Sequence, residues 1–146
     1  MTSKRINYYA AAPNAMKAMM GLEKAIAESL LPPALRELVR IRASQINGCA
    51  YCVDMHSTDA LKHGETWRRL AALNTWKETP FFSEQERAAL LWTETLTLVA
   101  TIQAPEDIYQ TVAAAFSDQE LAELTLVIAT INAWNRFGVG FAMRPE

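Results

Sequence analysis

The sequence predicts an all-α fold, a compact bundle of about six to seven helices. Two observations support this: no alternating run of β-branched residues with hairpin turns occurs, and signals for helix starts and stops recur along the whole chain. The chain has 146 residues and is 51% apolar, which is enough to bury a core within one domain over residues 1–146. We therefore expect a single helical domain.

Prolines and glycines set the expected bounds of the first three long helices. The first should cover about residues 14–29, until the pair Pro32–Pro33 interrupts it. Proline suits the first position of a helix, so a second helix should start at this pair and stop near Asn47–Gly48, which favours left-handed backbone. The third should begin at the cysteines and close ahead of Gly64.

Two capping boxes predict the long helices of the second half. Ser83 and Ser117 are each followed by a glutamate three residues later, a pattern in which the two residues satisfy each other's free amide donors. The first of these helices should end near Val99 and the second near Trp134. A shorter helix should begin around Pro105, between them.

Charge and hydropathy exclude several classes of function. The formal charge is -2, and no run of lysine or arginine could neutralise several phosphates, so we expect no nucleic-acid partner. No stretch approaches the roughly 20 apolar residues of a membrane span, and the N-terminus lacks the apolar block of a signal peptide. We expect a cytoplasmic protein that does not enter a membrane.

Both cysteines of the chain lie in one motif, Cys49-Ala50-Tyr51-Cys52. A disulfide closing so small a loop restrains the unfolded chain little, so chemistry is the better explanation for the pair. The first turn of a helix lowers the pKa of a thiol, and His56 shares a helix face with Cys52 as a candidate base. The three-residue spacing also brings both sulfurs within reach of a reversible disulfide.

Glu37 is the candidate carboxylate that orients His56 and supports its positive charge. It precedes Cys49 by twelve residues, which a straight helix would make about 18 Å. A fold-back at the Asn47–Gly48 break would bring the two helices side by side. Counting equal numbers of residues away from that turn along both helices places Arg40, rather than Glu37, level with His56. A contact between Glu37 and His56 would then need helices that cross at an angle, a bridging water, or the length of the Glu37 side chain.

The stretch Leu35–His56 resembles the core motif of the AhpD-like alkylhydroperoxidases, within the carboxymuconolactone decarboxylase superfamily. The spacing is met in full: a glutamate, eleven residues, C-x-x-C, three residues and a histidine. The later stretches Glu86–Leu90 and Ile131–Arg136 are also similar to members of this family, so the resemblance spans most of the chain.

The resemblance implies an all-helical AhpD-like fold, a homo-oligomer (trimer or hexamer) and a peroxiredoxin-type oxidoreductase. By analogy, Cys52 attacks an organic hydroperoxide, its proton passes through His56 to Glu37, and Cys49 resolves the sulfenic acid to a disulfide. A lipoyl group or a thioredoxin-like protein would supply the external dithiol, with no cofactor or metal. The best-characterised peroxidases of the group carry a second histidine at the position of Tyr51, so an activity that depends on it would be weaker here.

Other interpretations stay open at the level of sequence. Zinc could bind Cys49, Cys52 and His56, with His63 or an acidic residue as the fourth ligand. Other possibilities are a general disulfide oxidoreductase, a lactone decarboxylase, which would need no redox dithiol, and a structural module. Arg40 is expected to form a structural ion pair. The tryptophans and the pair Tyr8–Tyr9 could line a substrate pocket or serve packing.

Overall fold

The computed structural model describes residues 5–146, and within that range all regular secondary structure is helical. The α-helices are α1 (Tyr8–Ala11), α2 (Pro13–Ala27), α3 (Pro33–Asn47), α4 (Ala50–Lys62), α5 (Trp67–Ala71), α6 (Glu84–Thr97), α7 (Val99–Ile102), α8 (Glu106–Ala113) and α9 (Asp118–Gly140). A 3₁₀ helix covers Leu73–Glu78, between α5 and α6. Each of these helices falls short of the length or the apolar character needed to cross a bilayer.

The predicted all-α class is confirmed, but the predicted count of six to seven helices was wrong. Residues 5–146 contain ten helical segments, and the four unpredicted ones are α1, α5, α7 and the 3₁₀ helix. They are four to six residues long, which is too short for a hydrophobic period to be visible. Local caps define two of them: Asn7 accepts from two amides of α1, and Thr66 accepts from an amide of α5.

Several predicted helix ends lie where the sequence places them. Both capping boxes form, at Ser83 for α6 and at Ser117 for α9. Helix α3 ends at Asn47 and is capped by Gly48, which adopts φ 69°, a left-handed conformation that costs glycine little. The exception is α9, which continues past Trp134 to Gly140 because no proline intervenes and Phe137 packs on Tyr8, with ring centroids 5.1 Å apart.

Helix α3 is the central element of the described fold and packs against α4, α6 and α9. One side, including Leu35 and Val39, joins a cluster with residues of α6, α8 and α9. The other, including Leu38 and Ile41, joins a cluster with Leu73, Trp76 and Phe82. A helix fixed on several sides is a rigid support for the polar side chains it carries. The assignment of residues 1–146 to one domain stays a prediction.

A buried polar cluster fixes the end of α3 to α9, next to the cysteines. Asn135 donates to the hydroxyl of Ser44 at 2.9 Å, and the Asn47 amide donates to Asn135 Oδ1 at 3.0 Å. Ser44 and Asn135 are at most 1% exposed, so losing the Ser44 hydroxyl would leave the Nδ2 donor of Asn135 buried without its acceptor. This cluster sets the position from which the chain turns into α4.

Candidate active site

The turn between α3 and α4 places both sulfurs at the start of α4. After Gly48, the Cys49 amide donates to the carbonyl of Ser44 at 3.0 Å, and Cys49 becomes the N-cap residue of α4. Its sulfur accepts from the amide of Cys52 at 3.4 Å. The two cysteines are joined by a disulfide, with Cα atoms 5.3 Å apart, and each is only 3% exposed. The predicted pair therefore lies in the first turn of a helix, where unpaired amides favour a thiolate.

Helix α9 lies directly against the disulfide at Gly138. A Cβ atom at this position would come within 2.6 Å of Cys49 Sγ and 3.5 Å of Cys52 Sγ, so only glycine fits without moving the sulfurs. Gly138 was not predicted as a site residue. The available signal was a glycine inside a long helical pattern, which costs about 1 kcal/mol relative to alanine and so calls for a packing reason.

Glu37 binds His56 directly, with Oε2 2.9 Å from Nδ1 and no bridging water needed. Arg40 does not replace it beside the imidazole. Instead, Arg40 donates to the other oxygen of Glu37 at 2.6 Å and to Glu23 Oε2 at 2.9 Å, which makes it the ion-pair member that the sequence suggested. Trp134 of α9 donates to Glu23 Oε1 at 3.0 Å. We call Glu23, Glu37 and Arg40 the cavity network.

His56 and Arg40 keep Glu37 ionised. Burial raises the pKa of Glu37, but the hydrogen bond and charge of His56 and those of Arg40 outweigh burial, and the pKa is held below its ordinary value. A carboxylate only accepts hydrogen bonds, so His56 Nδ1 carries the proton in this pair. The other ring nitrogen, Nε2, makes no hydrogen bond within residues 5–146 and is left to exchange a proton with a reactant.

A cavity of about 360 Å³ opens beside this pair, and Cys52 lies in its wall while Cys49 does not. The lining combines the ionic groups with aromatic and thioether side chains, namely Tyr8, Tyr9, Met20, Glu23, Glu37, Arg40, Tyr51, Cys52, Met55, His56, Asp59, Trp134, Gly138 and Met143. Burial, followed by neighbouring Tyr9 and Tyr51, raises the pKa of Tyr8, so its phenol stays neutral near pH 7. Of the aromatic residues considered from the sequence, Tyr8, Tyr9 and Trp134 line this cavity.

The other three tryptophans lie outside this cavity. Trp76 and Trp92 are buried in the fold, whereas Trp67 is 74% exposed. Glu23, Met55 and Asp59 also line the cavity and were not predicted. Glu23 comes from α2 through tertiary packing. Met55 and Asp59 share the α4 face of Cys52 and His56, and this helical spacing was the available signal.

The fold does not bring together, as one ligand set, the residues that the sequence suggested as zinc ligands, namely Cys49, Cys52, His56 and His63. Cys49 and Cys52 are bonded to each other, and His63 is exposed, with Nδ1 2.8 Å from the Asp59 carbonyl. Within residues 5–146, the side chains that converge are those of Glu37, His56 and Asp59, whose ligand atoms lie within 4.8 Å of one another. Both oxygens of Glu37 already face His56 and Arg40.

Several known proteins are similar to this chain in sequence and in fold. The sequence profile of the carboxymuconolactone decarboxylase family matches residues 13–95, which include Glu37, both cysteines and His56. The uncharacterized protein YdfG of Bacillus subtilis is 42% identical over 142 residues, covering 97% of each chain. A crystal structure of a protein of unknown function from Agrobacterium tumefaciens, provisionally described as an antioxidant defence protein AhpD, superposes with a TM-score of 0.94 at 42% identity over 99% of each chain.

A more distant structure shares the fold alone. An uncharacterized peroxidase-related protein from a Silicibacter species superposes with a TM-score of 0.83 at 22% identity, covering 94% of this chain and 73% of that one. The family match and the Agrobacterium structure confirm the AhpD-like resemblance that the cysteine motif suggested.

Proposed function

The chain belongs to the carboxymuconolactone decarboxylase family, and from that premise we propose that it is a thiol-dependent peroxidase acting on organic hydroperoxides. The observation that carries the proposal is the placement of Cys52 in one cavity with the hydrogen-bonded pair Glu37–His56. A candidate nucleophile, a base and an orienting carboxylate meet there, and Cys49 lies within disulfide distance. The proposed catalytic residues are Glu37, Cys49, Cys52 and His56.

The cycle starts from the reduced dithiol. His56 takes the proton of the Cys52 thiol, with Glu37 stabilising the resulting imidazolium, and the thiolate attacks the terminal oxygen of the hydroperoxide. The O–O bond breaks, the alkoxide takes a proton to leave as an alcohol, and Cys52 becomes a sulfenic acid. Cys49 then attacks this sulfur, water leaves, and the Cys49–Cys52 disulfide forms. Two electrons have moved from the dithiol to the peroxide.

The size and lining of the cavity favour an organic hydroperoxide over hydrogen peroxide as the substrate. Its volume of about 360 Å³ corresponds to roughly twelve waters in the bulk liquid. Aromatic and methionine side chains around it, such as Tyr9, Met20 and Trp134, favour an apolar substituent on the peroxide. Because Tyr51 stands where the best-characterised relatives carry a second histidine, we expect slower turnover than in those peroxidases.

The proposal includes a homo-oligomer, a trimer or hexamer, working in the cytoplasm. Apolar side chains remain exposed on the described chain, among them Trp67 at 74%, Ile6 at 59% and Leu30 at 58%. Subunit contacts are a common way to cover such residues. Light scattering should return a multiple of the 16.3 kDa chain mass, and a stable monomer at micromolar concentration would reject this part.

Peroxidase assays test the proposed activity. The protein should consume cumene hydroperoxide catalytically with at least one donor from a panel of dithiols, including dihydrolipoamide and a thioredoxin-like protein. Cys52→Ser, assayed beside it, should be inactive. Absence of turnover with every donor, from a protein whose two thiols still react with a disulfide reagent, would refute the peroxidase and leave only a disulfide oxidoreductase.

A further inference from the structure

The two sulfurs of the disulfide are reached from different openings of the molecule. Cys52 lines the cavity that holds Glu37 and His56, and Cys49 does not. Cys49 instead lines two openings to which Cys52 does not contribute. One is a wide, open groove of about 460 Å³ between α3 and α4. The other is a more enclosed cleft of about 250 Å³ on the side of α9, formed by Gly48, Cys49, Ala50, Gly138, Val139, Met143 and Arg144. We call this opening the rear cleft.

Helix α9 and the turn after it form the partition between the cavity and the rear cleft. Gly138 and Met143 line both the cavity and the rear cleft, so they lie between them. The amide of Met143 donates to the carbonyl of Gly138 at 2.9 Å, which closes the partition with a backbone hydrogen bond. Gly138 also presses on the sulfurs, because a Cβ there would come within 2.6 Å of Cys49 Sγ.

From this arrangement we infer that the rear cleft is the site of the reducing dithiol, and that the dithiol attacks Cys49 rather than Cys52. The inference rests on the proposed function for the existence of a disulfide that must be reduced. Both cysteines are 3% exposed, so a donor reaches either sulfur only through an opening. Thiolate attack on a disulfide runs in line with the S–S bond, so a thiol that attacks Cys49 needs an opening that Cys49 lines and Cys52 does not, as the rear cleft is.

The leaving groups fit this direction of attack. The first donor thiolate bonds to Cys49 Sγ, the S–S bond breaks, and Cys52 leaves as a thiolate into the cavity that His56 lines and can take up a proton there. The second donor thiol then attacks the donor sulfur of the mixed disulfide. Cys49 leaves, and its sulfur is supported by the amide of Cys52, 3.4 Å away in the disulfide. The protein gains two electrons, and the donor leaves as its own disulfide.

The size and lining of the rear cleft favour a dithiol on a slender aliphatic arm. A volume of about 250 Å³ corresponds to roughly eight waters in the bulk liquid, which suits a short alkyl dithiol. Val139, which is 47% exposed, and Met143 offer apolar contact to such an arm, and the exposed Arg144 adds a positive charge. The donor and the peroxide can then occupy the protein without competing for one opening.

Mapping the mixed disulfide tests which sulfur is attacked. The oxidised wild-type protein is mixed with 2-mercaptoethanol, and after partial reaction excess N-ethylmaleimide is added at mildly acidic pH, where it still alkylates thiols while disulfide exchange is slow. The peptide containing both cysteines is then fragmented in the mass spectrometer. The donor should be found on Cys49 and the alkyl group on Cys52. Donor on Cys52, or on both cysteines equally, would overturn the inference. No peroxide is needed, so this result is independent of whether the protein is a peroxidase.

Filling each opening tests whether the two are separate. Val139→Trp, in the rear cleft, should slow reduction of the disulfide by dihydrolipoamide about tenfold or more because access to the sulfur limits exchange. Its effect on oxidation of the dithiol by cumene hydroperoxide should be less than about twofold, since that step uses the cavity. Met55→Trp, in the cavity wall, should show the reverse pattern. The exposed Leu61→Trp on α4, which lines neither opening, is the matched control and should change neither rate.

Three results would contradict the separate cleft. Met55→Trp could slow reduction while Val139→Trp leaves it unchanged, which would place the donor in the cavity. Both variants could slow reduction equally, which would remove the partition. Alternatively, a thioredoxin-like protein could reduce the disulfide while dihydrolipoamide does not, which would exclude the slender donor. If the donor attacks Cys49 through the rear cleft but cumene hydroperoxide does not oxidise the dithiol, the proposed peroxidase activity is refuted while the donor site is retained.

Discussion

Two arginine-centred ion-pair networks in this molecule are built alike but differ in what they touch. In each, one arginine bridges two glutamates, one of which is at least partly buried and has a lowered pKa. The first is the cavity network, and the second, which we call the corner network, consists of Glu65, Arg69 and Glu86.

The corner network joins helices and touches no reactive group. Arg69 pairs with Glu65 at 2.8 Å and with Glu86, and it donates to the carbonyl of Phe81 at 2.6 Å. Glu86 also completes the capping box with Ser83 at the start of α6. Burial raises the pKa of Glu86, but its hydrogen bonds to Arg69 and Ser83 outweigh burial and lower it. Its ionised carboxylate therefore stabilises a helix start.

The cavity network uses the same physics next to His56 and a disulfide. A lowered carboxylate pKa alone does not separate a catalytic group from a structural one, because both networks have it. The distinguishing feature is the neighbour: a titratable imidazole that faces a cavity with a sulfur in its wall. The predictions below use the corner network and other matched positions to test that difference.

The largest expected effect comes from removing the sulfur that faces the cavity. Cys52→Ser should abolish consumption of hydroperoxide, whereas Cys49→Ser should stop turnover but still allow one oxidation of Cys52. Intact-mass measurement after one equivalent of peroxide, with dimedone as the trap, should find sulfenic acid on Cys52 in the Cys49→Ser variant. Sulfenic acid on Cys49 in the Cys52→Ser variant, with none in the reciprocal one, would reverse the two roles.

Replacing the carboxylate that has the lowered pKa in each network separates catalysis from stability. Glu37→Gln removes the anion that supports an imidazolium at His56, so thiol oxidation should slow by about 10²-fold. The matched variant Glu86→Gln should leave the oxidation rate near that of the wild type and lower the free energy of unfolding by about 1–3 kcal/mol. Stopped-flow oxidation and urea denaturation measure the two quantities. Equal rate losses in both variants would mean that the networks do not differ in function.

Two glycines of α9 provide the next comparison. Gly138→Ala places a methyl group against the sulfurs and should destabilise the oxidised protein by about 1–3 kcal/mol through overpacking. Gly140 has no neighbour within 4 Å of an added Cβ, so Gly140→Ala should change stability by less than about 1 kcal/mol. Thermal unfolding of both variants in the oxidised form checks this. If Gly138→Ala and Gly140→Ala were equally stable, α9 could move away from the disulfide at little cost in free energy.

The smallest effect concerns pH. Because the pKa of Glu37 is lower in the folded chain than its ordinary value of 4.5, the unfolded state binds more protons at acidic pH. The stabilisation from Glu37 is thus present above pH 4.5 and is lost as pH falls through the folded pKa. Glu37→Gln should reduce the pH dependence of unfolding in this window, by at most about 1.4 kcal/mol per pH unit. An unchanged slope would contradict an ionised Glu37.

Much of the fold and the residue types of the site could be predicted from the sequence because they depend on local patterns. The capping boxes at Ser83 and Ser117 are local, and so is the left-handed turn at Gly48. The C-x-x-C and its histidine sit within two turns of one helix. Glu37 was predicted as a site residue, although counting steps from the turn placed Arg40 closer to His56.

The remaining parts of the site depend on how helices cross, which local patterns do not encode. The contact from Glu37 to His56 requires α3 and α4 to cross so that residues at unequal distances from the turn meet. Glu23 comes from α2 and Trp134 from α9, 111 residues apart in the chain yet hydrogen-bonded. Gly138 carries no side chain, and its role becomes visible only through the sulfurs packed against it.

The most direct test of the account is a single-turnover oxidation of the fully reduced wild-type protein by one equivalent of cumene hydroperoxide without any donor. We expect one cumyl alcohol and one Cys49–Cys52 disulfide per chain, with both products appearing at the same final rate and both thiols lost to alkylation. Unchanged hydroperoxide beside two thiols that can still be alkylated would contradict the central claim that the Glu37–His56 pair activates Cys52 toward peroxides.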